Sequence, residues 1–160
     1  MPKIKLKLST DSINQALKEV KAYLKKVEKA ADDLVRRLTE QGVSLAQLNA
    51  SYMDIYDTGE LMRGIESQYK GKIGFVVSTA THSIFCEFGT GIVGAQNPHP
   101  EVAIAGWRYD VNEHGQLGWW YIGRDGKSHW TKGMPSRPYM YETAKMLRSM
   151  VVPLAKEVMC

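Results

Sequence analysis

The feature that most limits how this chain can fold is an apolar stripe that starts at Ile13 and continues through Leu17, Val20, Leu24, Val27, Ala31, Leu34 and Leu38. Steps alternating between four and three residues place all of them on one side of an α-helix. Ser12 followed by Gln15 has capping-box spacing and Asp11 complements the positive end of the helix dipole, so a helix start is expected there. Gly42 offers a left-handed C-terminal residue, which predicts a helix of roughly eight turns. A helix this long in a chain of 160 residues has to project, lie across a sheet or pack against another subunit. Two readings follow: a core helix on a sheet, or a heptad seam that also serves an oligomer. The surrounding charges mix signs, Lys18, Lys21, Lys25 and Arg36 with Glu19, Glu28 and Asp33, as on a solvated face.

The remaining segments supply a sheet and a second helix. Residues 3–8 alternate lysine with Ile4, Leu6 and Leu8, the period of a strand, and lack the apolar run of a secretory signal or membrane anchor. Residues 43–56 have no clear period and lead into Asp57-Thr58-Gly59-Glu60-Leu61, turn chemistry followed by an apolar anchor. Ile65 to Tyr69 and Phe75 to Ala80 read as two strands of a hairpin joined through Gly71 and Gly74. Ser83 to Phe88 then runs into Gly89-Thr90-Gly91, where the glycines give the backbone freedom to leave the sheet and Phe88 is expected to point inward. Residues 92–133 hold all four tryptophans, and Asp125-Gly126 between two aromatic runs reads as a hairpin tip. After Pro135 and Pro138, the residues Met140, Ala144, Leu147, Val151, Leu154 and Val158 mark a second helix, which Pro153 should kink. The expected fold is a single α+β domain over 1–160: two long helices packed on an antiparallel sheet, with 92–133 as an aromatic β-hairpin insert.

Composition narrows the function classes. Charged residues at 24% and hydrophobic residues at 44% are those of a folding globular chain. Cys86 and Cys160 are the only cysteines, too few for a disulfide framework, so the expected setting is a reducing cytoplasm. His82 and Cys86 stand four apart but have no second pair to complete a metal site, and Cys86 among Phe85, Glu87 and Phe88 reads as a buried thiol rather than a nucleophile. Gly89-Thr90-Gly91 and Gly123-Arg124-Asp125-Gly126 lack the lysine–serine ending of a phosphate loop. No catalytic set, cofactor or metal is expected. The net charge of +4 permits contact with nucleic acid, for which Lys70, Lys72, Arg124 and Lys127 at turns are the candidate channel-lining charges. A basic nucleic-acid-binding module without catalysis is the alternative class. Trp107, Trp119, Trp120, Tyr121 and Trp130 are candidate subunit contacts, because aromatic residues gathered outside the helical stripes usually mark an interface.

Three segments carry a resemblance. Thr58-Gly59-Glu60-Leu61 follows a long helix, Glu87-Phe88-Gly89-Thr90-Gly91 follows a hairpin, and Met134-Pro135-Ser136-Arg137-Pro138-Tyr139-Met140 opens the last helix. In this order and spacing the chain resembles the gene-ten-like tail-component family of tailed phages, and Ile92 to Pro100 and Gly118 to Gly133 resemble its version in prophages of Gram-positive bacteria. The resemblance implies a non-enzymatic virion protein at the joint between head and tail, a ring of identical subunits around the DNA channel, in contact with other neck and tail proteins. It also implies that these motifs are fold and interface positions.

Overall fold

The computed structural model describes residues 9–55, 59–109 and 118–159; the expected N-terminal strand and Thr58 lie outside them. The first helix, α1, spans Thr10–Tyr52. Its cap is Ser9, whose backbone is extended and whose Oγ accepts the Ser12 amide at 3.3 Å. Ser12 itself is already helical and Gln15 donates to Glu19, so the expected capping box does not form. Nor does α1 stop at Gly42. That glycine is buried in mid-helix, where a Cβ would stand 2.6 Å from Val76 Cγ2 and 2.9 Å from Leu147 Cδ1. It is a notch for two packed neighbours, and burial of Leu45, Ala46, Asn49 and Ala50 carries the helix on through the segment that lacked a clear period.

After a short helix α2, Glu60–Arg63, the strands β1, Ile65–Lys70, and β2, Ile73–Ser78, pair antiparallel from Ile65 opposite Ser78 to Lys70 opposite Ile73. The turn is Gly71-Lys72, with Gly71 at φ 61°, tighter than the five-residue connection expected. The next segment is helical. Ser83–Phe88 is a helical turn, α3, and Gly91–Gln96 and Val102–Ala105 form two more, α4 and α5. Among the described residues of the insert, only the later part is β: β3, Trp119–Ile122, pairs antiparallel with β4, Ser128–Thr131, across a tip at Gly126, and β5 is the pair Gly133–Met134. Helix α6 spans Tyr139–Met159 and runs through Pro153 as one element.

The fold is therefore α+β, and among the described residues the sheet is divided into two separate two-stranded ribbons. α1 packs lengthwise on α6 and crosses both strands of the first ribbon. The helices are antiparallel, since Asn49 Nδ2 donates to Thr143 Oγ1 at 3.0 Å while Gly42 meets Leu147. The core gathers at the C-terminal end of α1, where Ala46, Ala50, Ile55, Leu61, Ile65, Ala80, Cys86 and Tyr139 are buried together. Among the described residues, no helix is long and apolar enough to cross a membrane.

Candidate functional site

Glu87 is the residue on which distant segments converge. It sits in α3 with 8% of its surface exposed, and a buried carboxylate must be matched by donors. Its Oε2 accepts the Met140 amide and its Oε1 the Tyr141 amide, each at 2.9 Å. These are first-turn N–H groups of α6 that have no partner within their own helix, and the positive end of the helix dipole favours the carboxylate there. His99, also buried, brings Nε2 to 3.2 Å from Glu87 Oε1. Its Nδ1 accepts the Glu101 amide at 3.0 Å, so the ring proton belongs on Nε2 and is donated to Glu87.

Around this carboxylate the backbone closes into a clasp. Ser136 Oγ donates to the Glu87 carbonyl at 2.6 Å, and the Arg137 amide donates to the Cys86 carbonyl at 2.9 Å. Thr90 and Gly91 form β-bridges with Met134 and Gly133, and Thr90 Oγ1 accepts the Met134 amide at 3.2 Å. Gly89, at φ 78°, leaves no room for a side chain, because a Cβ would lie 2.6 Å from the Ser136 nitrogen and 2.8 Å from the Met134 oxygen. The expected hinge that lets the chain go is thus a closure: the insert leaves at Gly91 and returns at Gly133 to the same place. Phe88 is half-buried, stacked on Trp107 at 5.3 Å between ring centres and tilted against His99 at 4.3 Å. The Trp107 indole N–H donates to the Gly89 carbonyl at 3.0 Å.

The other motif residues support this clasp. Gly59, at φ 73°, starts α2 and sends Leu61 into the core. Pro135 and Pro138 are half-buried, while Tyr139 is fully buried, and burial raises its hydroxyl above the usual tyrosine range. The aromatic candidates divide. Trp107 and Trp119 are half-buried within the fold, the latter with its ring over Gly91, whereas Trp120, Tyr121 and Trp130 are exposed on the β3–β4 ribbon, Trp120 edge-on to Trp130. The basic candidates also divide. Lys70 and Lys72 lie at the β1–β2 turn, where Lys72 shares a groove with Asp32, Arg36 and Glu40; Arg124 and Lys127 lie at the β3–β4 tip. The first tip lies beside Asp32, Arg36 and Glu40 of α1, whereas Arg124 of the second lies beside Asp54, past the C-terminal end of that helix.

One open cleft, about 400 Å³, brings Asp54, Glu60, His82, Cys86, Arg124 and Arg137 together beneath the second tip. This is the clustering of His82, Cys86 and an acid that a small hydrolase would use. Burial raises the Cys86 thiol above its ordinary range, which disfavours the thiolate, while Arg137 opposes this. Among the described residues, no group of three potential ligands is arranged to hold a metal ion. Sequence reasoning placed Glu87 in a motif but missed its partner His99, whose only local signal is its position between Pro98 and Pro100. The chain matched no family model, no curated protein and no solved structure.

Proposed function

We propose that this chain is a structural virion protein of a tailed phage or prophage, assembled in the host cytoplasm into a ring that joins head to tail as a neck or tail-completion component. The observation that carries the reading is that two of the motif segments behind the resemblance, Glu87 to Gly91 and Met134 to Met140, meet in one interlocked clasp. They are built as a brace, in which the buried Glu87 carboxylate and the backbone of the second segment satisfy one another. A brace at the base of the insert holds the exposed Trp120, Tyr121 and Trp130 in a fixed direction, as an assembly surface requires. Neighbouring copies and other neck or tail proteins are the partners in this reading, and Lys70, Lys72, Arg124 and Lys127 make sequence-independent contacts with DNA in the channel.

The decisive experiment is disruption of the gene in an inducible phage or prophage, followed by electron microscopy of the lysate. Filled heads and separate tails are expected, with joining restored by the intact gene. Infectious, joined particles formed without the protein overturn the reading. Replacing Trp120 and Trp130 together by Ser then tests the ribbon: a folded protein missing from purified particles is expected.

A further inference from the structure

Among the described residues, β2 pairs with β1 on one side only, and its other edge borders a groove. The Thr79 amide donates to the Gly64 carbonyl at 2.9 Å just beyond the ladder, and antiparallel bonds recur at every second residue. Ile73, Phe75 and Val77 therefore bond to β1, while the N–H and C=O groups of Gly74, Val76 and Ser78 point to the open edge. These three residues are half-buried, and among the described residues none bonds to those groups. The groove beside them measures about 350 Å³, with Ala144, Leu147 and Val151 of α6 as its far wall and Leu38 of α1 as its floor. We infer that it takes residues 3–8 of a second copy of this chain, added to β2 as a third, antiparallel strand.

The pattern of the segment fits the place. Lysine alternates there with Ile4, Leu6 and Leu8, so an extended segment has one apolar face for α6 and one charged face for solvent, and its six residues match the six of β2. The same chain cannot supply it. Leu8 is bonded to Ser9, the cap of α1, which at 1.5 Å per residue stands roughly 45 Å along the helix from Thr39 in the groove. Six residues span roughly 20 Å at full extension. The surroundings of β2 set the direction. Beyond Ser78 the chain enters the core at Ala80, with Tyr139, whereas beyond Gly74 it turns at the exposed Gly71-Lys72. A donor still joined to its own α1 has room to leave past Gly74, which places Leu8 opposite Gly74, Leu6 opposite Val76 and Ile4 opposite Ser78. In this register the same three residues exchange main-chain bonds with the open edge and turn their side chains into the groove, Leu8 over the space that Gly74 leaves. Lys5 and Lys7 fall on the outer face beside Val77 and Phe75, and their stems cover a Phe75 ring that is 43% exposed.

The inference does not rest on the neck reading, since it is tested on purified protein alone. Light scattering coupled to sizing of the full chain should show association above the 18.0 kDa chain mass. Ile4→Asp with Leu6→Asp should abolish it by spoiling the donor, and Ala144→Glu with Val151→Glu by spoiling the groove. An equimolar mixture of the two variants should recover a one-to-one dimer, because each keeps what the other has lost. A synthetic peptide of residues 1–9 should bind the donor variant at one site. Methylating its Leu6 amide nitrogen, which faces β2, should weaken binding at least about tenfold, whereas methylating that of Lys5, which faces away, should leave it nearly unchanged. Should the groove variant melt early, the peptide comparison decides alone, since the donor variant leaves the body of the protein untouched. A native chain that stays monomeric at millimolar concentration overturns the inference. So does a mixture of two folded variants that stays monomeric, a donor variant that associates as the native chain does, or an equal effect of the two methylations.

Discussion

The inner and outer halves of α1 carry the same apolar period and meet different surroundings. Between Val35 and Ala50 the covered face includes Gly42, Ala46 and Ala50, small residues at the points where Val76, Leu147 and the core come close. Between Ile13 and Val27 the stripe is built of large aliphatic side chains, and they are exposed. The period reports which side of a helix is apolar, while residue size along that side reports how closely the cover approaches. Small residues are shaped to neighbours already in the chain.

The comparison breaks most completely if the cover of the inner half is unseated. Glu87 anchors the first turn of α6, and Glu87→Ala leaves the Met140 and Tyr141 amides and the His99 ring without their acceptor. A loss of about 3 kcal/mol is expected in chemical denaturation, since each buried group left unsatisfied costs about 1–3 kcal/mol and the site also relaxes and admits water. A loss under about 1 kcal/mol would mean that α6 is held by its α1 contact alone. Gly42→Val attacks the same packing from the other side. Its Cβ falls 2.6 Å from Val76 Cγ2 in a filled interior, so a loss of about 2 kcal/mol is expected, with the hairpin pushed away from α1.

Where the sequence was legible, the determinants were local. Gly71 and Gly126 at positive φ marked both ribbon tips, and the period of Met140 to Val158 marked α6. Gly42 misled because its capacity to end a helix is local, whereas its use as a notch depends on Val76 and Leu147, far along the chain. The Glu87 brace was invisible for the same reason: its partners lie 12, 53 and 54 residues away, and nothing near Glu87 announces them. Composition grouped the aromatics that the strand period separates, since neighbours on a strand face opposite sides, and Trp119 turns inward where Trp120 turns out. Apolar content alone leaves Ser83 to Phe88 open between a strand and a helix end, and the turns of α3 set Phe85 and Phe88 on one side against Trp107.

Asn49 sharpens the contrast on a smaller scale. Its side-chain amide donates to Thr143 Oγ1 at 3.0 Å inside the α1–α6 contact, a buried polar pairing of a kind the outer stripe lacks. Asn49→Ala should cost about 1 kcal/mol through the hydroxyl left without its donor, with Thr143→Ala in the same chain recovering part of it. Equal and additive losses in the two single variants would show that the pair is not coupled.

The smallest effect separates the two halves most cleanly. Leu24 belongs to the same stripe as Leu38, yet it is 55% exposed at the level where α6 ends. Leu24→Ala removes no core contact and leaves a residue of higher helix propensity, so the dilute monomer should keep its stability within about 0.5 kcal/mol. Denaturation at low protein concentration measures this directly. Repeating it at high concentration adds the contribution of any pairing, because a partner that binds only the folded chain raises its apparent stability with concentration. The native chain should then gain stability on concentrating, and Leu24→Ala should gain as much, since Leu24 lies outside the groove between β2 and α6. A loss of about 2 kcal/mol in the dilute monomer would instead mean that Leu24 is already covered within a single chain, and that the two halves of α1 differ less than their exposure indicates.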